Sequence, residues 1–270
     1  MEYPNRMRFA KCRSGVLVFI LLIGIPSLIE AQSRKLEGMW SDTLDTAVGL
    51  FCFGFCTDAG IDRLNKLLDD PANDARAFDD ISAEASNYQR ETYIKPKLIN
   101  DAAKRFPLNP MEDPSYVRCE PWGFARQIFA PHQLEIRQRD NSRIEMRYGE
   151  WDARRTVYLD GRKRPPNQAP AAFGHSVGHW EGDSLIIETS GISANIAFGA
   201  PHTDQLRVVE RYTRSEDGKT LLLASTLEDP LSCSEPLVLK KIWNWSPQSR
   251  IAPYKSCERP TEITKGAKRP

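Results

Sequence analysis

Between Gln133 and Trp245, apolar and polar residues alternate with a period of two in a series of short segments, which predicts β-strands with one buried face. Leu134 to Arg139 and Arg143 to Trp151 form a hairpin across Asp140-Asn141-Ser142, and Arg155 to Asp160 follows. Phe173 to Trp180 and Ser184 to Ser190 pair across Glu181-Gly182-Asp183. Leu206 to Arg214 and Thr220 to Glu228 pair across Ser215 to Lys219, and Leu237 to Trp245 is the last segment. Gly, Asn and Asp at these turns accept the positive φ angles that tight hairpins require. About eight strands, with a further candidate at Gly38-Met39-Trp40, predict a mainly β fold built as an antiparallel up-and-down barrel.

The first half of the chain has a different rhythm. Ile61, Leu64, Leu67 and Leu68 recur at helical spacing between Asp58 and Asp69, and Pro71-Ala72-Asn73-Asp74 stops that run. Ile81 to Ala103 is more weakly helical, with a break at Pro96, and Leu98 to Pro121 is rich in proline and turn residues. This part is expected to wrap the barrel or lid one of its ends. Further upstream, Arg6, Arg8, Lys11 and Arg13 precede the apolar run Val16 to Ile25, and small Ala31 stands before Gln32, in the order of a cleavable signal peptide. That run is about half the roughly 20 residues that span a bilayer, so a cleaved leader is preferred over the rival reading of a retained anchor; no stable membrane insertion is expected after cleavage, and the mature chain belongs in the periplasm or outside the cell. The resulting plan is a signal peptide over 1–31, an N-terminal strand, helices and Pro-rich wrap over 32–130, the barrel over 131–258 and a flexible tail over 259–270.

Charge narrows the function classes. The 37 basic and 36 acidic side chains leave a net charge of +1, too little field to hold nucleic acid. Of the six cysteines, Cys12 leaves with the leader, and the remaining five predict two disulfides and one thiol in an oxidising compartment. Cys52 and Cys56 suit a local clasp. Cys119, Cys233 and Cys257 compete for the second bridge, and Cys119 with Cys257 is preferred because it ties the two ends of the barrel segment together. No second Cys pair or His follows Cys52 and Cys56 at zinc-site spacing, so no metal is expected.

Gly38-Met39-Trp40 matches the G-x-W start of lipocalins, in which the Trp plugs the closed end of the barrel. The second half resembles a group of uncharacterised exported bacterial proteins with lipocalin-like (calycin-type) features, over roughly residues 114–258. The matching stretches are Arg154 to Arg162 (RRTVYLDGR), Gly174 to Asp183 (GHSVGHWEGD), Pro201 to Arg211 (PHTDQLRVVER) and Glu228-Asp229-Pro230. His179 departs from the pattern, since the family more often carries Arg there. The resemblance implies a lipocalin-like fold and carries over no catalytic residue.

Several inward-pointing positions could carry chemistry. Glu150, Arg155, Glu210 and Lys241 each interrupt an apolar strand face, so they either pair inside the lumen and orient a ligand or sit solvated at the rims. Arg155 is the strongest of the four, because a guanidinium can hold a carboxylate or enolate with two hydrogen bonds. His175 is a candidate general base or a structural histidine. It shares a strand face with His179, but four residues along a strand span about 13 Å, too far for one metal ion. His202 and Asp204 form either an acid/base pair at the barrel mouth or a turn that closes the loop. Tyr148, Tyr158, Trp180, Tyr212 and Trp243 are expected to line an apolar ligand pocket, the rival reading being core packing.

The function expected from these features is an exported, lipocalin-like barrel that binds a small hydrophobic or aromatic molecule. The alternative is a cofactor-free isomerase, cyclase or lyase using an acid/base group in the same lumen. No nucleotide loop, haem motif or metal cluster is visible, and no cofactor is expected.

Overall fold

The alternating segments become nine strands that close on themselves. A computed structural model describes residues 36–42, 45–104, 121–195 and 202–251. The strands are β1 (Gly38–Ser41), β2 (Leu134–Asp140), β3 (Arg143–Tyr148), β4 (Arg154–Tyr158), β5 (His175–Glu181), β6 (Ser184–Ser190), β7 (Arg207–Arg214), β8 (Thr220–Glu228) and β9 (Leu237–Trp245). They pair in chain order, and β9 pairs back to β1. The leader, Cys119 and Cys257 lie outside the described residues.

Three expectations need correction. The strand number is nine rather than eight, because Gly38-Met39-Trp40 does form a strand. The barrel is also mixed rather than purely up-and-down: β4 and β5 run parallel, with Val157 opposite Ser176 and Tyr158 opposite Val177. A parallel neighbour cannot be reached through a tight turn. The chain from Leu159 to Gly174 therefore returns along the barrel before β5 starts, and it brings Phe173 to stack on Tyr148 at 6.3 Å. The β3 strand also stops earlier than predicted, at Tyr148, because the chain turns at Trp151 (φ 60°) and Asp152 (φ 48°). Glu150 thus lies in the turn and not on the strand face.

Register puts the predicted inward residues on one continuous surface. Ile136 faces Met146, Met146 faces Arg155, Tyr212 faces Leu223, and Leu223 faces Lys241. The barrel end that carries the β7–β8 turn is closed by Trp40. Its ring is fully buried, meets Trp245 edge-to-face at 5.0 Å and lies beneath the Arg214 guanidinium at 5.1 Å. Gly38 is required beside it, because a Cβ there would fall 2.2 Å from the Trp245 ring.

β1 is too short to cover all of β9. It pairs only Trp40 and Ser41 with Trp245 and Asn244, leaving the first half of β9 with an open edge. The helical segment satisfies that edge group by group. Val238 N donates to the Tyr93 hydroxyl at 3.1 Å, Lys240 N to Cys56 O at 2.8 Å and Ile242 N to Cys52 O at 3.2 Å. This lacing holds the N-terminal helices against the outer wall.

Those helices are α1 (Ala47–Phe51), α2 (Asp58–Leu68), α3 (Phe78–Gln89), α4 (Asn100–Lys104) and α5 (Phe124–Phe129). Thr46 and Thr57 cap α1 and α2 by accepting Gly49 N and Gly60 N, each at 3.0 Å. Leu64 and Leu67 of α2 pack with Ile81 and Ala85 of α3 and with Phe51, Cys52 and Cys56, a small second core that rests on Ile242. The break expected at Pro96 is present as a change from α3 into a π turn over Arg90–Ile94 and a 3₁₀ turn over Lys95–Lys97. Among the described residues no helix is long and apolar enough to cross a membrane.

The short helix α5 belongs to the barrel core. Phe124, Ala125, Gln127, Ile128 and Phe129 are all buried, and only Arg126 of the six residues is not. Phe124, Ala125, Ile128 and Phe129 belong to one core with Leu134, Tyr148, Tyr212, Leu223 and Trp243, so side chains fill this part of the interior.

Candidate functional site

Polar atoms gather at two places inside this framework. The first is the centre of the barrel, where Arg155 of β4 and Glu210 of β7 form a fully buried, two-pronged ion pair: Nη1 donates to Oε2 at 2.7 Å and Nη2 to Oε1 at 3.2 Å. The Tyr212 hydroxyl donates to Glu210 Oε1 at 2.8 Å, and the Arg155 guanidinium lies 5.3 Å from the centre of the Phe124 ring. Burial opposes the charge on Arg155, but the adjacent carboxylate overcomes that cost and pushes its pKa up. Burial and the Glu210 charge push the Tyr212 phenol up as well, while Tyr148 is raised to about 12, chiefly by burial. Both phenols therefore stay neutral at physiological pH.

The second lies where β9 meets the segment after α5. Lys241 is fully buried, its Nζ donates to Ala130 O, and the ammonium sits 4.6 Å from the centre of the Trp243 ring. Burial lowers its pKa to about 7. His132 stands nearby, with Nδ1 3.0 Å from Gln133 O and Nε2 2.8 Å from Gln127 O. Burial, then the Lys241 charge, lowers its pKa to about 4. Trp243 Nε1 donates to His132 O at 3.1 Å, so residues 130–133 are fastened to β9 from both sides.

An open cleft of about 400 Å³ adjoins this second cluster. Phe53, Phe55, Trp122, Phe129 and Leu239 give it aromatic and aliphatic walls, Ala130 and Pro131 complete its lining, and Arg90 and Arg126 border it. The Cys52–Cys56 disulfide closes the loop that carries Phe53 and Phe55, and the same loop is paired to β9 through Lys240. Arg126 is stacked over Trp122 at 4.3 Å. Phe55 and Phe129 meet edge-to-face at 6.3 Å. The cleft thus has a preformed apolar wall with two cations at its margin. A second cleft, of about 440 Å³, is bordered by Gln205, Arg207, Glu228, Asp229 and Cys233 and is more polar.

The predicted site residues are distributed unevenly over these places. Arg155 and Glu210 do meet, whereas Lys241 bonds a backbone carbonyl instead of joining them. Tyr148, Tyr212 and Trp243 are inward and fully buried in the core, and none of the five expected pocket aromatics borders the apolar cleft. Tyr158 is half-buried and stacks on His175 at 5.2 Å, while Trp180 is partly buried against the core. His175 points away from the lumen, its Nε2 2.9 Å from Arg162 O, because inward residues of β5 are the alternate ones, Ser176 and Gly178.

The His202–Asp204 pairing is not formed. His202 is buried, with Nδ1 3.0 Å from Thr203 O, and burial lowers its pKa. Asp204 is exposed and accepts from the Gln205 side chain at 3.2 Å. The carboxylate that organises this loop is Asp229, which accepts from Thr203 N at 2.6 Å and Thr203 Oγ1 at 2.9 Å. Of the cysteines, Cys52 and Cys56 are bonded and Cys233 is a free thiol whose pKa burial raises to about 11. Among the described residues no cluster of three His, Cys, Asp or Glu is arranged to hold a metal ion.

Arg90, Arg126, Phe53, Phe55 and Phe129 were missed as site residues. The aromatic loop Phe51-Cys52-Phe53-Gly54-Phe55-Cys56 was a visible signal, since it places three Phe beside a disulfide. The six residues of α5 are too few to show helical periodicity. The chain matches no family model, no curated protein and no solved structure.

Proposed function

We propose that this is an exported, lipocalin-like binding protein for a small hydrophobic or aromatic molecule, and that it binds in the cleft at the barrel mouth. The observation that carries the reading is the cleft of about 400 Å³ walled by Phe53, Phe55, Trp122, Phe129 and Leu239. Small-molecule sites are concave, largely apolar and oriented by a few polar groups, and their volumes begin at about 300 Å³. The disulfide in its wall suits the oxidising compartment expected from the leader. The cofactor-free isomerase, cyclase or lyase has less support. Glu210 uses both carboxylate oxygens on Arg155 and Tyr212, and His175 lies on the outer face. Neither is a free base facing a ligand.

The test is a titration with N-phenyl-1-naphthylamine, a neutral aromatic probe that fluoresces in apolar sites. Saturable binding to the protein, weakened by Phe129→Ser, is expected. Absent or unsaturable binding, or binding indifferent to Phe129→Ser in a folded variant, would overturn the proposal.

A further inference from the structure

We propose that Gly54 selects the ligand of the apolar cleft: a planar ring system lies against its bare peptide, between Phe53 and Phe55, and a side chain at position 54 would exclude it. The inference rests on the binding reading above and adds the shape of the ligand and the residue that reads it. Gly54 borders the cleft together with Phe53, Phe55, Trp122 and Phe129. Other glycines of this chain follow from the fold: a Cβ on Gly178 of β5 would fall 2.7 Å from Val157 Cγ1, and Gly182 in the β5–β6 turn has φ 57°. Neither reason holds at Gly54. Its φ lies outside the left-handed region, and a Cβ built on it would meet Phe129 O at 3.6 Å, an ordinary van der Waals distance.

What glycine supplies at this position is an uncovered stretch of backbone on the cleft wall, and close approach of a ligand to backbone is one of the uses of the residue. Gly54 and Phe129 both border the cleft, so the atoms of a longer side chain at 54 would occupy cleft volume. The surrounding rings are held in place. Phe55 and Phe129 meet edge-to-face at 6.3 Å, while Trp122 carries Arg126 over its ring at 4.3 Å and stacks on His132 at 6.3 Å. Rings fixed in this way present flat walls. A planar ligand touches them and the Gly54 peptide at once, whereas a flexible alkyl chain loses conformational freedom to cover the same surface.

The experiment is isothermal titration calorimetry with two neutral alcohols, the flat 1-naphthalenemethanol and the flexible 1-octanol, on the wild type, Gly54→Ala and Gly54→Leu, with folding checked by circular dichroism. The wild type is expected to bind the naphthalene alcohol about tenfold more tightly than octanol, by the contact and ordering argument above. Gly54→Ala should shrink that preference and Gly54→Leu should abolish it, by weakening the flat ligand while octanol, which bends round the added side chain, changes little. Equal affinities in the wild type, a preference that survives in Gly54→Leu, or a parallel loss for both alcohols would overturn the role of Gly54 while the apolar reading stands. Should Gly54→Leu not fold, Gly54→Ala decides alone, since the fold accommodates its Cβ, and a preference equal to that of the wild type would overturn the inference. Failure of N-phenyl-1-naphthylamine to bind the wild type would overturn both readings.

Discussion

Arg155 and Glu210 meet across the interior of the barrel although β5 and β6 separate their strands along the wall, and the contact is a two-pronged pair at 2.7 and 3.2 Å. The pair joins opposite parts of a wall whose neighbouring strands are held mainly by backbone ladders. Tyr212 supplies a further hydrogen bond to the same carboxylate. Removing one partner leaves a charge in a place that water does not reach.

Arg155→Ala is therefore expected to destabilise the protein by about 3–5 kcal/mol, the range for breaking a buried pair from one side. Glu210→Gln should cost less than Arg155→Ala, because the amide keeps the shape and one acceptor. Arg155→Met combined with Glu210→Leu should cost less than the Arg155 change alone, since no charge is then stranded. Denaturant melts of the single and double variants give the coupling energy. Additive effects below about 1 kcal/mol would mean that the pair behaves as an exposed one.

Lys241 makes stability depend on pH in a direction that can be worked out. Its folded pKa is depressed to about 7, while the unfolded chain holds the proton up to about 10.4. Between those values the unfolded state binds more protons, so the contribution of Lys241 to stability rises with pH from about 7 to about 10.4 and is flat on either side. Lys241→Met should remove that rise, and its stability relative to the wild type should be most favourable below pH 7. Urea midpoints of both proteins from pH 6 to pH 10 measure the difference. Parallel pH curves would contradict this account of the lysine.

The Cys52–Cys56 disulfide closes a small loop, so its removal should cost only about 2 kcal/mol by loop-closure entropy. Its effect on the cleft should be larger than its effect on the fold, because the loop carries Phe53 and Phe55. Cys52→Ala/Cys56→Ala is expected to keep the β-sheet circular dichroism signal and to weaken binding of the neutral naphthylamine probe. Unchanged probe affinity would show that the loop does not form a binding wall.

The barrel was legible because alternation reports which face of a strand is buried, and Arg155 and Glu210 were conspicuous as charges inside apolar stripes. Which inward charges would meet was not legible. Lys241 interrupts its stripe in the same way, yet strand tilt and stagger bring it to Ala130 O and leave Glu210 to Arg155. The parallel β4–β5 pair was hidden because a period of two carries no strand direction, and only the path of Leu159 to Gly174 decides it. The cleft was hidden for another reason. It joins Phe53 and Phe55 to Trp122 and Phe129 over a long stretch of chain, and each aromatic alone reads as core. Asp229 took the place expected for Asp204 because its carboxylate reaches Thr203 from a neighbouring loop, a contact with no local signature.

On the proposed reading, the ligand site lies at the mouth of the barrel, beside α5, and not among the tyrosines of the lumen. Photolabelling with a naphthalene probe that carries a diazirine, followed by peptide mapping, locates the site directly. Saturable labelling of peptides containing residues 53–55 and 122–131, competed by N-phenyl-1-naphthylamine, is expected. Competed labelling of Tyr148, Tyr212 or Trp243, with residues 53–55 and 122–131 unmodified, would contradict it.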